Sequence, residues 1–344
     1  MGTDKNYGLN GVQVLVTGGG GFVGSCLVKQ LLTQNAKVRV IGRNHYPEIS
    51  RLGAECIVGD IADYDDMRGA CDGCEIVFHV ASLAGIWGSW TDYKRTNIDG
   101  TYNLLHLCHK AGVSNLVYTS TPSVVFNGVD ISGGDERLPY AEKFLCHYAR
   151  SKAIAEQAVL SANSRALRTC ALRPHLIWGP GDPHLLPRLI EAGRKGRLRI
   201  VGDGSNLVDI SYVDNVAHAH LLAAKNLQGS ATASGQAYFI SQGEPVNLWK
   251  WINELFSRLG VPEVRKQISF SGGRFIGAVQ EIVFRLLPID REPTMTRFLA
   301  EQLAKDHYFS LDKCKRDLGY SPIVSMEQGF SRTIKWLEDR LPKR

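Results

Sequence analysis

The sequence has no internal repeat, no low-complexity segment and no block of like charge. Repeat arrays, disordered linkers and polybasic tails are excluded on that ground. Lys and Arg number 40 against 34 Asp and Glu, a net charge of +6 spread along the chain. Scattered charge argues against a nucleic-acid partner. It leaves an anionic small molecule, a membrane surface or plain solubility as the reason for the excess. The polar stretch Met1 to Asn10 lacks both an apolar core and an Arg-rich amphipathic pattern, so no targeting segment is expected. Eight cysteines stand at no regular spacing, which reads as reduced thiols in a cytoplasmic protein. Cys71 and Cys74 form C-x-x-C in a turn, without a second Cys/His pair at zinc spacing, and no metal is expected.

What is present is ordinary for a packed core: 344 residues, 44% hydrophobic and 22% charged. That length suits two domains, or one large α/β unit with an appendage. Val12 to Thr17, Lys37 to Ile41, Cys56 to Val58, Ile76 to Val80, Asn115 to Ser120 and Thr169 to Arg173 read as strands. Most are continuously apolar, as strands covered on both faces must be. Helical spacing runs over Phe22 to Gln34, Asp92 to Ala111 and Ala141 to Ala162, and again near Leu185 to Ala192 and Val208 to Ala224, before a strand at Ala237 to Ile240. The alternation predicts an α/β, doubly wound parallel sheet of the Rossmann type with a smaller C-terminal substrate-binding domain. Residues 11–175 plus 208–242 are assigned to the first, and 176–207 plus 243–340 to the second.

Thr17 to Gly24, with four consecutive glycines, follows a strand and opens a helix. In that context Gly18 permits a tight turn, Gly21 lets the backbone approach a pyrophosphate, and Gly24 brings helix and strand together. Phe22 and Val23 share the loop and complete the expected phosphate contact. The end of the second strand reads Val40-Ile-Gly-Arg-Asn44. No carboxylate stands there to hold an adenosine ribose 2′-OH, and Arg43 can pair with a 2′-phosphate, so NADP(H) is expected ahead of NAD(H). Asp60, followed by Ile61, ends the third strand. Its carboxylate either accepts from the adenine amino group or caps its own turn.

Tyr148-Ala-Arg-Ser-Lys152 sets a phenol and an ammonium on one helical face. A phenol with a pKa near 10 is a poor acid/base at neutral pH, whereas a neighbouring ammonium and a cationic nicotinamide stabilise its phenolate. The preceding strand ends in Thr119-Ser-Thr-Pro-Ser123, hydroxyls at the carboxyl edge where α/β proteins bind ligands. Thr121 is the expected partner of the substrate oxygen, with Ser120 and Ser123 in reserve.

These motifs resemble the extended short-chain dehydrogenase/reductases, and within them the 3β-hydroxysteroid dehydrogenase family, over almost the whole chain. The loop resembles the family's T-G-x-x-G-x-x-G, Asn97 its helix asparagine, and Tyr148 with Lys152 its acid/base pair. The resemblance implies that Tyr148 exchanges the carbinol proton and that Lys152 also holds the nicotinamide ribose. It further implies that His79 to Ser82, Ala81 among them, and Arg173-Pro174-His175 border the cofactor. Trp87 and Trp90, the run from Tyr118 to Val124, Trp178 with His184 to Pro187, and Glu292 to Gln302 resemble bacterial 2-alkyl-3-oxoalkanoate reductases. Phe126 to Asp130 and Leu138 to Ala141 resemble decarboxylating sterol-4α-carboxylate 3-dehydrogenases. Both act on a ketone or secondary alcohol β to a carboxylate on a bulky apolar body. His175, His184 and Arg188 are candidates for that carboxylate, and Trp87, Trp90 and Trp178 either wall the pocket or anchor loops.

A nucleotide-sugar epimerase and an NADP-sensing regulator are the rival classes. A dehydratase would carry an acidic pair where Pro122 and Ser123 stand, and a regulator would commonly lack the tyrosine or lysine. The stripe Phe275, Ile276, Val279, Ile282, Val283, Leu286 and Leu287 is too short and too interrupted to span a membrane. It is expected to pack, as a lid on an apolar substrate site, with a peripheral membrane contact as the alternative. The helices at Asp92 to Ala111 and Ala141 to Ala162 are expected to form a homodimer interface.

Overall fold

The computed structural model describes residues 7–287 and 291–340. Most of the polar N-terminal stretch, and residues 288–290 of the expected second domain, lie outside the described residues. Seven strands form one sheet: β1 (Gln13–Thr17), β2 (Lys37–Gly42), β3 (Glu55–Val58), β4 (Ile76–His79), β5 (Asn115–Thr119), β6 (Arg168–Pro174) and β7 (Gln236–Ile240). Their order is β7-β6-β5-β4-β1-β2-β3 and every neighbouring pair is parallel. This is the doubly wound Rossmann arrangement. The chain reverses its winding between β1 and β4, which opens a crevice at their carboxyl ends.

Alternation along the strands explains why the middles of the central ones are apolar on both faces. Val14 and Val16 face a cluster with Leu27, Val28 and Leu31 of α1 (Phe22–Thr33), whereas Leu15 faces the opposite cluster with Leu104 and Leu107 of α2 (residues 90–111). Ala155 and Val159 of α3 (His147–Ser161) cover the second face as well. α2 is a composite: an α-turn capped by Ser89, a π-helical stretch Lys94–Asp99, and a regular helix Gly100–Ala111 ending at a left-handed Gly112.

Three expected helices shift. α3 begins at His147 rather than Ala141, because Ala141 N–H is bonded to the Val124 carbonyl and Cys146 is extended. α2 starts earlier, at Trp90, because Ser89 supplies a cap. The helix expected from Val208 starts at Val213 (α5, Val213–Gln228, after α4, Leu185–Arg194). Leu207–Val208 and Ser211–Tyr212 are short strands, and between them Asp209 accepts from the Phe309 N–H.

The smaller body contains α6 (Leu248–Arg258), α7 (Phe270–Leu286), α8 (Arg297–Ala304) and α9 (Met326–Glu338). Its sheet orders Val246–Asn247, Leu207–Val208, His307–Phe309 and Ile131–Gly134 side by side. The last of these strands comes from the segment before residue 175, so the two bodies interleave. Trp178 lies in this body's core, fully buried, with ring centroids 5.3 Å from Tyr212, 5.4 Å from Trp251 and 5.1 Å from Phe330. It does not wall a pocket.

α7 overturns the packing expectation. Its buried residues are Gly273, Gly277 and Glu281, and Gly277 lies so close to the Thr296–Arg297 backbone that a Cβ would stand 2.6 Å from the Thr296 carbonyl carbon. The apolar stripe points the other way, with Phe275 71% and Leu286 77% exposed, and Ile282 and Val279 also exposed. The small-residue face, not the apolar one, was what α8 could approach.

Candidate active site

The crevice is built from the ends of β1, β4 and β5. Gly18 has φ of +68°, and a Cβ on it would lie 2.8 Å from the Ala81 Cα. A Cβ on Gly24 would meet the Gly18 carbonyl oxygen at 2.2 Å, so α1 can start where it does only with glycine there. A Cβ on Gly21 would meet the Gly18 oxygen alone, at 3.2 Å. No side chain caps α1 and no acidic residue stands in its first turn. The N–H groups at Phe22, Val23 and Gly24 and the positive helix end therefore open onto the space beside Gly21. These residues fit a dinucleotide pyrophosphate.

β4 ends at a buried histidine that organises the crevice rather than lining it. Thr101 donates to the Asn97 carbonyl (2.6 Å), so it accepts from His79 Nε2–H (2.9 Å), leaving Nδ1 to accept from Thr17 (2.8 Å). The Thr17 oxygen also accepts from the N–H groups of Val80 and Ala81. Burial, with Lys152 adding to it, pushes the His79 imidazole down to about 3, which keeps it neutral. Asn97, in the π-helical stretch, accepts from Leu83 N–H (2.7 Å) and donates to the Leu83 carbonyl (3.0 Å) and to Ser151 Oγ (2.9 Å). Ser151 in turn donates to the Tyr148 carbonyl at 2.8 Å. Asn97 thus ties the loop after β4 to the helix that carries Tyr148.

Tyr148 is half-buried. Burial pushes its phenol up to about 12, and a hydrogen bond with the Thr121 hydroxyl opposes that rise. Thr121 is buried, caps the turn Pro122–Val124 and donates to Ser123 Oγ at 3.2 Å. Ser120 Oγ and Tyr118 Oη are buried without a hydrogen-bond partner. Lys152 is fully buried one turn along α3, its Nζ donating to the Thr119 carbonyl at 2.6 Å and lying 4.1 Å from the Tyr118 ring centre. Burial brings its amine down to about 7, with Glu156 pulling in the other direction. Desolvation by burial is the largest cause of both shifts, and the Lys152 amine is directed at the Thr119 carbonyl.

Glu156 was not anticipated. It stands one further turn along the Tyr148–Lys152 face, fully buried, bonded by Arg173 Nη2 (2.5 Å) and the Tyr140 hydroxyl (2.8 Å). The four-residue spacing that linked Tyr148 to Lys152 was the signal that would have found it. Tyr93 was missed as well. Its ring meets that of Tyr148 edge-on at 6.4 Å and its hydroxyl donates to the carbonyls of Gly85 (2.9 Å) and Trp87 (3.2 Å).

A model of the 3-beta hydroxysteroid dehydrogenase/isomerase family matches residues 15–271. The chain belongs to this family. It is 48% identical to a 2-alkyl-3-oxoalkanoate reductase of Stenotrophomonas maltophilia, over 93% of this chain and 98% of that one. It is 35% identical to the decarboxylating sterol-4-alpha-carboxylate 3-dehydrogenase of Mus musculus, over 93% and 89%. Among solved structures, MoeE5 in complex with UDP-glucose and NAD aligns with a TM-score of 0.71 at 25% identity, covering 95% of this chain and 99% of that one.

Other expected residues of this 3-beta hydroxysteroid dehydrogenase/isomerase family member are placed unevenly. Arg43 is exposed at the end of β2, without a hydrogen bond or ion pair among the described residues. Asp60 is engaged on both oxygens, capping Ala62 N–H at 3.0 Å and pairing with Arg95 at 2.8 Å. Ile61 is buried against Gly100, and Pro174 ends β6. Trp87 packs edge-on to Phe284 of α7 at 6.3 Å, and Trp90 lies under Arg150 at 4.3 Å. His175 is buried and its Nε2 faces His307 Nδ1 at 2.5 Å, so it is not open to a substrate carboxylate. His184 is exposed at the head of α4, and Arg188 pairs with Glu292 at 2.8 Å. Cys71 and Cys74 are buried, and the Cys71 thiol faces Cys108.

Proposed function

We propose that the chain is an NADP(H)-dependent oxidoreductase that interconverts a ketone and a secondary alcohol β to a carboxylate on a bulky lipid, with 2-alkyl-3-oxoalkanoates as the substrate class. The observation that carries this is the 48% identity along 98% of a reductase of that name, supported by Tyr148 standing one helical turn before the buried Lys152 on α3. When bound, the nicotinamide supplies or takes the hydride at C4. Tyr148 gives the carbonyl oxygen its proton in reduction and takes it back in oxidation. Thr121 donates to the same oxygen and fixes the carbon's position, while Lys152 holds the ribose and its charge. Gly18, Gly21, Phe22, Val23 and Gly24 hold the pyrophosphate, and Asp60, Ile61, Ala81 and Pro174 border the rest.

Arg43, unengaged and without a carboxylate at Gly42, supports NADP(H) over NAD(H). Arg188, paired with Glu292 at 2.8 Å and half exposed, is the carboxylate partner taken in this reading. A sterol 4-carboxylate is the second reading, favoured by the 35% identity to the murine dehydrogenase. Incubation of NADPH or NADP⁺ with 2-alkyl-3-oxo acids, their 3-hydroxy forms and sterol 4-carboxylates, following absorbance and CO₂, separates the two. Faster turnover of a nucleotide sugar than of any of these would overturn both.

Two partners complete the proposal. A homodimer through the outer faces of α2 and α3 is supported by the exposed Tyr102 on α2, and light scattering at micromolar concentration tests it. A peripheral lipid contact is supported by α7, whose exposed apolar stripe shares the helix with the exposed Arg274 and Arg285. No helix among the described residues is long and apolar enough to cross a membrane.

A further inference from the structure

We propose that Tyr46 is the residue that reads the 2′ position of the adenosine ribose. This rests on the dinucleotide reading of the crevice and names a specificity determinant within it.

Gly42 ends β2, the place from which dinucleotide-binding sheets project the carboxylate that grips the ribose. In this chain a Cβ on Gly42 would stand 2.6 Å from Tyr46 Oη and 2.9 Å from its Cε2. The phenol thus fills the volume that a side chain at position 42 would take. The opposite edge of the same ring lies against the phosphate loop, where a Cβ on Gly20 would stand 2.0 Å from Cδ1 and 2.1 Å from Cε1. Neither Gly20 nor Gly42 has a positive φ, so backbone conformation does not require glycine at either place. Room for the Tyr46 ring does.

The ring is held from behind. The Tyr46 carbonyl accepts from Ser50 N–H at 3.0 Å, Pro47 starts the short helix Pro47–Arg51, and Ile49 of that helix is buried in the core. Tyr46 is half-buried, and its Oη has no hydrogen-bond partner among the described residues. Its hydroxyl therefore stands at the end of β2, beside the phosphate loop and close in sequence to the unengaged Arg43.

The chemistry follows from replacing a carboxylate by a phenol. A carboxylate accepts from a 2′-OH and repels a 2′-phosphate. A phenol is neutral near pH 7 and donates, so it removes the repulsion and adds a hydrogen bond to a phosphate oxygen. Arg43 adds charge to the same group. A charge-assisted hydrogen bond of this kind is worth on the order of tenfold or more in affinity.

The test needs no turnover. Calorimetric titration of the full chain with 2′,5′-ADP and with 5′-AMP is compared among wild type, Tyr46→Phe and Arg43→Ala. Tyr46→Phe is expected to weaken 2′,5′-ADP by about tenfold while leaving AMP within about twofold. Equal weakening of both ligands, or no change in either, overturns the assignment. A wild type that binds AMP as tightly as 2′,5′-ADP defeats the NADP(H) reading itself. A preference that Arg43→Ala abolishes and Tyr46→Phe retains defeats Tyr46 alone. The double variant Gly42→Asp with Tyr46→Ala clears the phenol and restores a carboxylate, and its preference is expected to swing toward AMP. Retention of the 2′,5′-ADP preference by a folded double variant would place the 2′ group elsewhere.

Discussion

Replacing Lys152 by methionine should cost the protein its activity and make it more stable at neutral pH. The amine is fully buried and brought down from an ordinary 10.5 to about 7. A gap of that size corresponds to roughly 5 kcal/mol that the folded state loses by keeping the group charged below pH 7. The sign follows from proton binding. Between pH 7 and 10.5 the unfolded chain holds more protons on this residue than the folded one, so this group's penalty fades as pH rises through that window. Methionine keeps the packing volume but leaves the Thr119 carbonyl without the 2.6 Å bond, which costs about 1–3 kcal/mol. The variant should therefore gain a few kcal/mol at pH 6 and lose about 1 kcal/mol at pH 10.5. Urea unfolding of both proteins at several pH values measures the difference, and turnover should fall by about a hundredfold or more. A stability difference that stays constant from pH 6 to pH 10 would refute the reasoning. It would mean that Glu156 keeps the amine at its ordinary affinity for protons.

Trp178→Ala should destabilise the chain by about 3–5 kcal/mol, since the ring is fully buried among Tyr212, Trp251 and Phe330. Nucleotide affinity should stay within twofold, and a loss of substrate affinity without a loss of stability would return the ring to the pocket. Vesicles with anionic headgroups should retain the protein, and the double change Phe275→Ser with Leu286→Ser should reduce retention by tenfold or more, at about 1.5–3 kcal/mol per large apolar side chain withdrawn from lipid. Because both side chains are already exposed, the melting temperature should not move. Equal retention of variant and wild type in a sedimentation assay would discard the lipid contact.

The parallel sheet was legible because strands covered on both faces carry consecutive rather than alternating apolar residues, a local signature that Val14–Val16, Ile76–Phe78 and Leu116–Val117 show within β1, β4 and β5. The glycine loop was legible for a similar reason, since a positive φ at Gly18 and the contact of Gly24 with the Gly18 carbonyl are made within a few residues of each other. The four-residue spacing of Tyr148 and Lys152 by itself puts both on one helical face. What the sequence could not determine is where each group's neighbours from other strands would stand. Desolvation is a property of the assembled pocket, so the rise of the Tyr148 phenol and the fall of the Lys152 amine appear only once β5 and α3 close over them. The fate of amphipathic residues was likewise a tertiary decision. α7 buries its glycines because α8 needs close backbone approach, which leaves Phe275 and Leu286 outside. His175 turned inward because His307, far along the chain, arrives within 2.5 Å of it. Tyr46 reaches the crevice only because two glycines distant in sequence are brought beneath one ring. Periodicity within one element is written in the chain, whereas the meeting of elements is decided by the space they leave one another.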